Sequence, residues 1–291
     1  MQSIKTVCVC GAGTMGSGIA QVCAQAGFVT IQFDIDEAML AKSKASIDKG
    51  LSYLVNKGKL DKQQSNVILN SITFTNDINL CKADIIIEAI VEEAHAKADL
   101  FNRLTTINNQ QTIFATNTSS IAVSNIASQT ATASRVAGMH FFNPAPVMKL
   151  VEIIRAQQTD ESVVKALYNF AKALGKTPVV CTDVPGFIVN RVARHYYLEA
   201  LLLLEAGLAD VTTIDTLMES IGFKMGPFKL MDLIGIDVNY AVSTIVWDAL
   251  GKPVRLTPSV LQKQKLSLNE LGRKTGKGFY DYMHNTHDTQ I

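Results

Sequence analysis

Val7-Cys-Val-Cys-Gly11-Ala-Gly13-Thr14-Met15-Gly16 decides the fold of the N-terminal part of this chain. Residues 4–10, apolar from Val7 on, read as a buried strand, and residues 15–26 read as a helix. Between them stands Gly-x-Gly-x-x-Gly. The first glycine permits a tight turn, the second lets a pyrophosphate approach the backbone, and the third lets helix and strand pack closely. The helix N-terminus then offers free N–H groups and a positive dipole end to the phosphates. Alone the pattern is weak. Here a second strand, residues 29–33, ends at Asp34, about 20 residues on, where a ribose-binding acid belongs. Asp34 accepts hydrogen bonds from a ribose diol and repels a 2′-phosphate. Asp36 and Glu37 add negative charge, and no arginine follows nearby. The expected ligand is NAD(H) rather than NADP(H), held by Gly11, Gly13, Thr14, Met15, Gly16 and Asp34.

Outward from this unit the strand–helix alternation continues. Helical patterns fall at residues 36–58, 94–108 and 161–174, and strand patterns at 72–75, 84–90, 112–116, 135–141, 150–155 and 178–181. This alternation gives an α/β fold, a Rossmann-type doubly wound domain over residues 1–183. After Asp183, Pro185-Gly186 punctuates the chain and helical periodicity takes over, with Pro185 suited to a helix start. An all-helical domain is expected over residues 184–282, followed by a polar, frayed tail at 283–291.

Bulk properties bound the partners. The 291 residues carry a formal net charge of +1 with scattered basic residues, so nothing points to nucleic acid. Apolar runs such as residues 200–204 fall far short of the roughly 20 needed to span a bilayer. The first residues lead straight into a strand, which leaves no room for a secretory leader. The five cysteines (Cys8, Cys10, Cys23, Cys81, Cys181) form no Cys-x-x-Cys pair and read as buried, inert thiols. The reducing cytoplasm is the expected location.

The chemistry centres on His140-Phe-Phe-Asn143-Pro-Ala-Pro-Val-Met-Lys-Leu-Val-Glu152. An imidazole titrates near neutrality, and a carboxylate on one ring nitrogen fixes its tautomer and stabilises the imidazolium. Both residues lie at the ends of expected adjacent strands, so their side chains can meet. Glu152 lies in a strand otherwise built of Leu, Val and Ile, where a buried carboxylate needs a partner. A lone histidine is as readily structural, and both readings stand at this point. Asn117-Thr-Ser119-Ser120 follows a strand at the sheet edge where ligands bind, or it caps the next helix. Asn190 lies on the first turns of the helical domain, facing a cleft or facing solvent. His95, His195, His284 and His287 have no such setting. No His/Cys/Asp/Glu set has metal-ligand spacing.

Taken in order, several stretches resemble the L-3-hydroxyacyl-CoA dehydrogenase family, most of all its short bacterial 3-hydroxybutyryl-CoA dehydrogenases. They are residues 11–20, Glu88-Ala-Ile-Val-Glu92, Asn117-Thr-Ser-Ser120, the His140 stretch, Pro185-Gly-Phe-Ile-Val-Asn-Arg191, Met225-Gly-Pro-Phe228 and Gly272-Arg-Lys-Thr-Gly-Lys-Gly-Phe-Tyr280. The resemblance implies NAD-dependent interconversion of 3-hydroxyacyl-CoA and 3-ketoacyl-CoA, with His140 as base and Glu152 as its orienting partner. It implies that Ser119 and Asn190 contact substrate and assist catalysis. It implies cofactor or substrate contacts by Glu92, Lys97, Asn143 and Lys274, a coenzyme A contact by Lys57, and a homodimer through the helical domain. Lys229 departs from the family, which often has an acidic residue there. Closure of the helical domain over the cleft is expected for hydride transfer. Two other readings are a dehydrogenase of free 3-hydroxy acids or sugar acids, and a non-catalytic NAD(H)-binding structural protein of the crystallin kind.

Overall fold

β1 (Thr6–Cys10), β2 (Val29–Phe33) and β3 (Ile72–Thr75) form one wing of an eight-stranded sheet. β4 (Ile85–Glu88), β5 (Ile113–Thr116), β6 (Val136–Phe141), β7 (Leu150–Arg155) and β8 (Thr177–Thr182) form the other. The strand order is β3-β2-β1-β4-β5-β6-β7-β8, so the chain reverses its winding between β1 and β4. Ligands of doubly wound sheets sit outside the strand ends at that switch. The helices are α1 (Thr14–Gln25), α2 (Glu37–Asn56), α3 (Lys62–Asn70), α4 (Ala94–Thr105), α5 (Val123–Ser128) and α6 (Glu161–Ala173). The structure is a computed structural model that describes residues 4–283. Most of the expected tail, with His284 and His287, lies outside the described residues.

Strand residues alternate between two cores. Val7, Val9, Ile85 and Ile87 meet Ile19, Ile47, Leu51 and Phe170 on one face. Cys8, Cys10, Ile86 and Phe114 meet Leu100, Phe101, Leu104 and Ile126 on the other. A strand covered on both faces is apolar throughout, which is why these strands read as continuous runs. β1 to β6 pair in parallel, but β7 runs antiparallel to β6, because residues 142–149 connect them without a crossover helix. Parallel pairing resumes from β7 to β8 across α6.

Several boundaries differ from expectation. The strand expected at 84–90 stops at Glu88, where the Ile90 N–H bonds back to the Glu88 side chain. Helix α3 went unread, although Asp61 and Gln64 make a complete capping box. Helix α5 also went unread. Pro185 does not start a helix: residues 185–188 form a turn with Phe187 at φ 48°, and the next helix begins at Val189. Cys8, Cys10, Cys23 and Cys81 are buried as expected, but Cys181 is half-buried. Burial pushes its thiol up to about 12, so it remains unreactive near neutrality.

The chain divides into two compact units, Met1–Phe187 and Ile188–Ile291. In the second, α7 (Val189–Glu205), α8 (Val211–Ser220), α9 (Pro227–Ile234), α10 (Ile236–Ala249) and α11 (Val260–Ser267) surround Leu198, Leu201, Phe228 and Met231. Two buried aspartates tie later segments to these helices. Asp215 accepts from the Phe228 and Lys229 N–H groups and the Tyr280 hydroxyl, each at 2.9 Å. Asp232 accepts from the Phe279 and Tyr280 N–H groups at 2.9 Å and the Tyr282 hydroxyl at 3.0 Å. A Cβ on Gly226 would stand 2.4 Å from the Asp215 carboxyl, and one on Gly278 would stand 2.1 Å from Asp232 Oδ1. The glycines in both stretches therefore seat these carboxylates. Lys229, where the family often has an acid, pairs with Glu219 at 2.9 Å.

Candidate active site

The glycine loop leaves β1 at its carboxyl end. Gly11 has φ +106°, and a Cβ there would meet the Ala89 carbonyl oxygen at 2.4 Å. A Cβ on Gly16 would stand 2.0 Å from the Gly11 carbonyl oxygen, so α1 can start this close to β1 only with glycine there. Gly13 faces open space, with nothing within 4 Å of a Cβ. It is the N-cap of α1 and supplies no side-chain cap, which leaves first-turn N–H groups for an anion. Asp34 accepts from the Ala12 N–H at 2.7 Å and the Asp36 N–H at 3.0 Å. A carboxylate has further lone pairs, so Asp34 can brace the loop and still take a diol. Gly11, Gly13, Phe33, Asp34, Ile35 and Val91 help to line a cavity of about 620 Å³. Ile35 and Val91 are 82% and 65% exposed, apolar walls that the motif reading missed. These residues fit an adenine dinucleotide with a free 2′-hydroxyl.

Beside this crevice a carboxylate cluster closes the ends of β4 and β5. Glu88 is fully buried and accepts from Lys97 Nζ and the Thr116 hydroxyl, both at 2.7 Å. Lys97 is 1% exposed and also pairs with Glu92 at 3.1 Å. Glu92 Oε1 gathers the Thr118 hydroxyl at 2.5 Å, the Ser119 N–H at 3.2 Å and the Ser120 hydroxyl at 2.9 Å. Burial raises the Glu88 carboxyl above its ordinary value against the Lys97 charge. At Glu92 burial acts the same way, but Lys97 and the hydroxyl donors outweigh it and hold that carboxyl low. Sequence reasoning missed Glu88 as a centre. The signal was the one used for Glu152, a carboxylate ending an apolar strand.

His140 and Glu152 stand directly opposite each other across the antiparallel pair β6–β7. His140 Nδ1 lies 2.8 Å from Glu152 Oε2, and the two residues are 6% and 1% exposed. An ionised Glu152 can only accept, so Nδ1 carries a proton, and in the neutral ring Nε2 is left with the lone pair. The rings of Phe142 and Phe187 flank the imidazole at 4.6 and 5.8 Å. Asn117 Oδ1 accepts from the Phe141 N–H at 2.8 Å and so ties the end of β5 to the end of β6.

Asn143 precedes a cis peptide to Pro144 in the exposed connection after β6. Lys176 Nζ donates to the Ala145 and Met148 carbonyls at 2.5 and 2.8 Å and holds that connection. Gly18 of α1 admits it, since a Cβ there would meet Ala145 and Pro146 at 3.2 Å. Lys57 is the exposed C-cap residue of α2, 5.6 Å from the Tyr53 ring. In the helical unit, Asn190 is half-buried on the first turn of α7, and Lys274 pairs with Asp237. Among the described residues, no group of three or more His, Cys, Asp or Glu side chains could hold a metal ion.

A nucleotide crevice at the switch point, with a carboxylate-held imidazole at another strand end of the same sheet, is the arrangement of a dinucleotide-dependent dehydrogenase. Comparison with known proteins narrows the class. The chain belongs to the 3-hydroxyacyl-CoA dehydrogenase family: residues 6–184 match its NAD binding domain and residues 186–282 its C-terminal domain. Its cofactor is NAD. The chain is 43% identical over 284 residues to the 3-hydroxyadipyl-CoA dehydrogenase of Escherichia coli K12. That match takes in 97% of this chain but 60% of the relative, so the chain spans less than two thirds of that protein's length. It is 41% identical to the human mitochondrial hydroxyacyl-coenzyme A dehydrogenase, covering 96% of this chain and 91% of that one. Among solved structures, (S)-3-hydroxybutyryl-CoA dehydrogenase from Ralstonia eutropha matches with a TM-score of 0.92 at 38% identity, over 96% of this chain and 99% of that one.

Proposed function

We propose that this chain interconverts (3S)-3-hydroxyacyl-CoA and 3-ketoacyl-CoA thioesters of short acyl chain, with NAD(H). The observation that carries the reading is the buried 2.8 Å contact between His140 Nδ1 and Glu152 Oε2. Bound NAD supplies the acceptor for the hydride that leaves C3, and in its reduced form returns it. His140 takes the 3-hydroxyl proton at Nε2 during oxidation and gives it back during reduction. Glu152 fixes the tautomer and stabilises the imidazolium that oxidation creates. Ser119 and Asn190 contact the substrate. Glu92, Asn143 and Lys274 contact cofactor or substrate, and Lys97 acts through Glu92, which it holds in place. Lys57, exposed beyond α2, contacts the coenzyme A moiety.

The substrate reading draws on relatives named for 3-hydroxybutyryl-CoA and 3-hydroxyadipyl-CoA. We read the protein as a cytoplasmic homodimer that needs neither nucleic acid nor a membrane. The net charge of +1 and five free cysteines support this reading. Among the described residues no single helix is long and apolar enough to cross a membrane. The helical unit leaves Leu217, Ile221, Leu233, Val238 and Ile245 between 41% and 65% exposed, which supports pairing through that unit.

Kinetics with acetoacetyl-CoA, free acetoacetate, NADH and NADPH test the reading. The thioester should saturate with NADH, and the free acid should give no response. His140→Gln should lower kcat by roughly 10²–10⁴-fold, the usual worth of a general acid–base group. Undiminished turnover in that variant would remove His140 from the mechanism. Tight NADH binding without turnover of thioester or free acid would make the protein non-catalytic.

A further inference from the structure

We infer that Glu88 sets the relative affinity of the site for oxidised and reduced nicotinamide, by giving the Glu88–Lys97–Glu92 cluster a net negative charge beside the ring. Glu88 is a positioning residue: it is fully buried and acts through Lys97 and Glu92. The inference rests on the NAD assignment and goes beyond it. One ammonium group stands between two carboxylates. Lys97 Nζ lies 2.7 Å from Glu88 Oε1 and 3.1 Å from Glu92 Oε2, and among the described residues no other cation pairs with either. Glu88 takes two further donors, the Ile90 N–H at 2.8 Å and the Thr116 hydroxyl at 2.7 Å. Both of its oxygens accept, as those of an ionised carboxylate do. The Lys97–Glu92 pair alone would neutralise the ammonium group. The second carboxylate adds a desolvation cost with no cation left over for it. Buried in this way, its charge is screened far less than a surface charge.

The cluster stands where the nicotinamide belongs. Ala89, Ile90 and Val91, the residues between the two carboxylates, line the dinucleotide cavity. Along the sheet the order is β2, β1, β4, β5, β6. Asp34 follows β2 and suits the adenosine ribose, the glycine loop follows β1 and suits the pyrophosphate, and His140 lies in β6. A dinucleotide that starts at Asp34 and exchanges hydride beside His140 therefore sets its nicotinamide half over the ends of β4 and β5. Glu88 and its register partner Thr116 end those two strands. With neighbouring strands about 5 Å apart, these ends lie roughly 10–15 Å from the end of β2, within reach of an extended dinucleotide. The ring is a cation in NAD+ and neutral in NADH. A fixed negative charge beside it holds the oxidised form more tightly and leaves the reduced form nearly unaffected.

The test is equilibrium binding without acyl substrate, NADH by its fluorescence and NAD+ by displacement of NADH. Glu88→Gln keeps the shape and an acceptor for Lys97 but removes the charge. Its Kd for NAD+ should rise about five- to fifteenfold relative to its Kd for NADH, the worth of a unit charge roughly 10–15 Å away at an effective dielectric constant of about 20. Thr116→Val removes a donor to Glu88 and keeps the charge, so the ratio of the two constants should stay at the wild-type value. The His140–Glu152 pair is the same in every variant and cancels from the comparison. A purely structural Glu88 would weaken both forms together. Equal losses for NAD+ and NADH in Glu88→Gln, or no change in either, would overturn the inference and leave the NAD assignment intact. A shift in Thr116→Val as large as that in Glu88→Gln would overturn it too. Should Glu88→Gln fail to fold, Glu92→Gln removes the same charge from the cluster, and a wild-type ratio in that variant would overturn the inference. A wild type that binds neither form would overturn it together with the cofactor reading beneath it.

Discussion

Lys97 shows how one side chain can govern a site it does not line. Its ammonium group lies between Glu88 and Glu92, and Glu92 in turn collects the donors of Thr118, Ser119 and Ser120. Lys97→Met would leave Glu88 buried and unpaired, a change that typically costs 3–5 kcal/mol. Urea unfolding should show a loss of about that size, and KM for NADH should rise as the Glu92 cluster loosens. Glu92 adds a pH dependence. Its folded carboxyl lies below the ordinary value of 4.5. The stability it contributes is therefore present above that value and is lost as pH falls through the depressed one. Glu92→Gln should flatten this part of the acid limb. His140 links pH to direction. Oxidation needs the neutral ring and reduction needs the imidazolium, so rising pH favours the first and slows the second. A pH profile run in both directions checks this.

At the level of elements, the antiparallel β6–β7 pair is the platform for the acid–base group. Gly138 faces Ile154 two residues before His140 faces Glu152. A Cβ on Gly138 would stand 2.7 Å from Ile154 Cβ and 3.0 Å from Val123 Cγ2, both firmly packed. Gly138→Val should force the strands apart, cost roughly 1–3 kcal/mol on urea unfolding and lower kcat more than it raises KM for NADH. Much of this platform was legible in the sequence. Buried strands announce themselves as apolar runs, and a carboxylate inside such a run asks for a partner. That logic found Glu152 opposite His140. It would have found Glu88 had it been applied to β4. Helix α5 was illegible because its six residues are too few for a periodic pattern, and its N-terminus is capped from afar by Asp183, which accepts from the Val123 and Ser124 N–H groups. The burial of Arg194 among neutral acceptors was invisible too, since sequence does not report what surrounds a buried arginine.

On the scale of the whole molecule, exposed apolar side chains gather in the helical unit. Leu217 on α8 and Ile221, its C-cap residue, are 59% and 65% exposed, and Leu208 and Val254 reach 73% and 90%. Patches of this kind mark association surfaces. Analytical ultracentrifugation at micromolar concentration should show a dimer, and Leu217→Asp with Ile221→Asp should give a folded monomer. A monomeric wild type would end the dimer proposal. The two buried aspartates carry a consequence in time. Asp215 bonds to Tyr280, 65 residues later, and Asp232 bonds to Phe279 and Tyr280, 47 and 48 residues later. On the ribosome the dinucleotide unit can close as soon as β8 emerges. The helical unit must wait, with Asp232 lacking its donors and Asp215 lacking one of its three, until Tyr280 has been synthesised and released. The chain therefore acquires its nucleotide fold well before it can acquire the rest, and a nascent chain halted between residues 232 and 279 would hold a finished sheet beside an unfinished bundle.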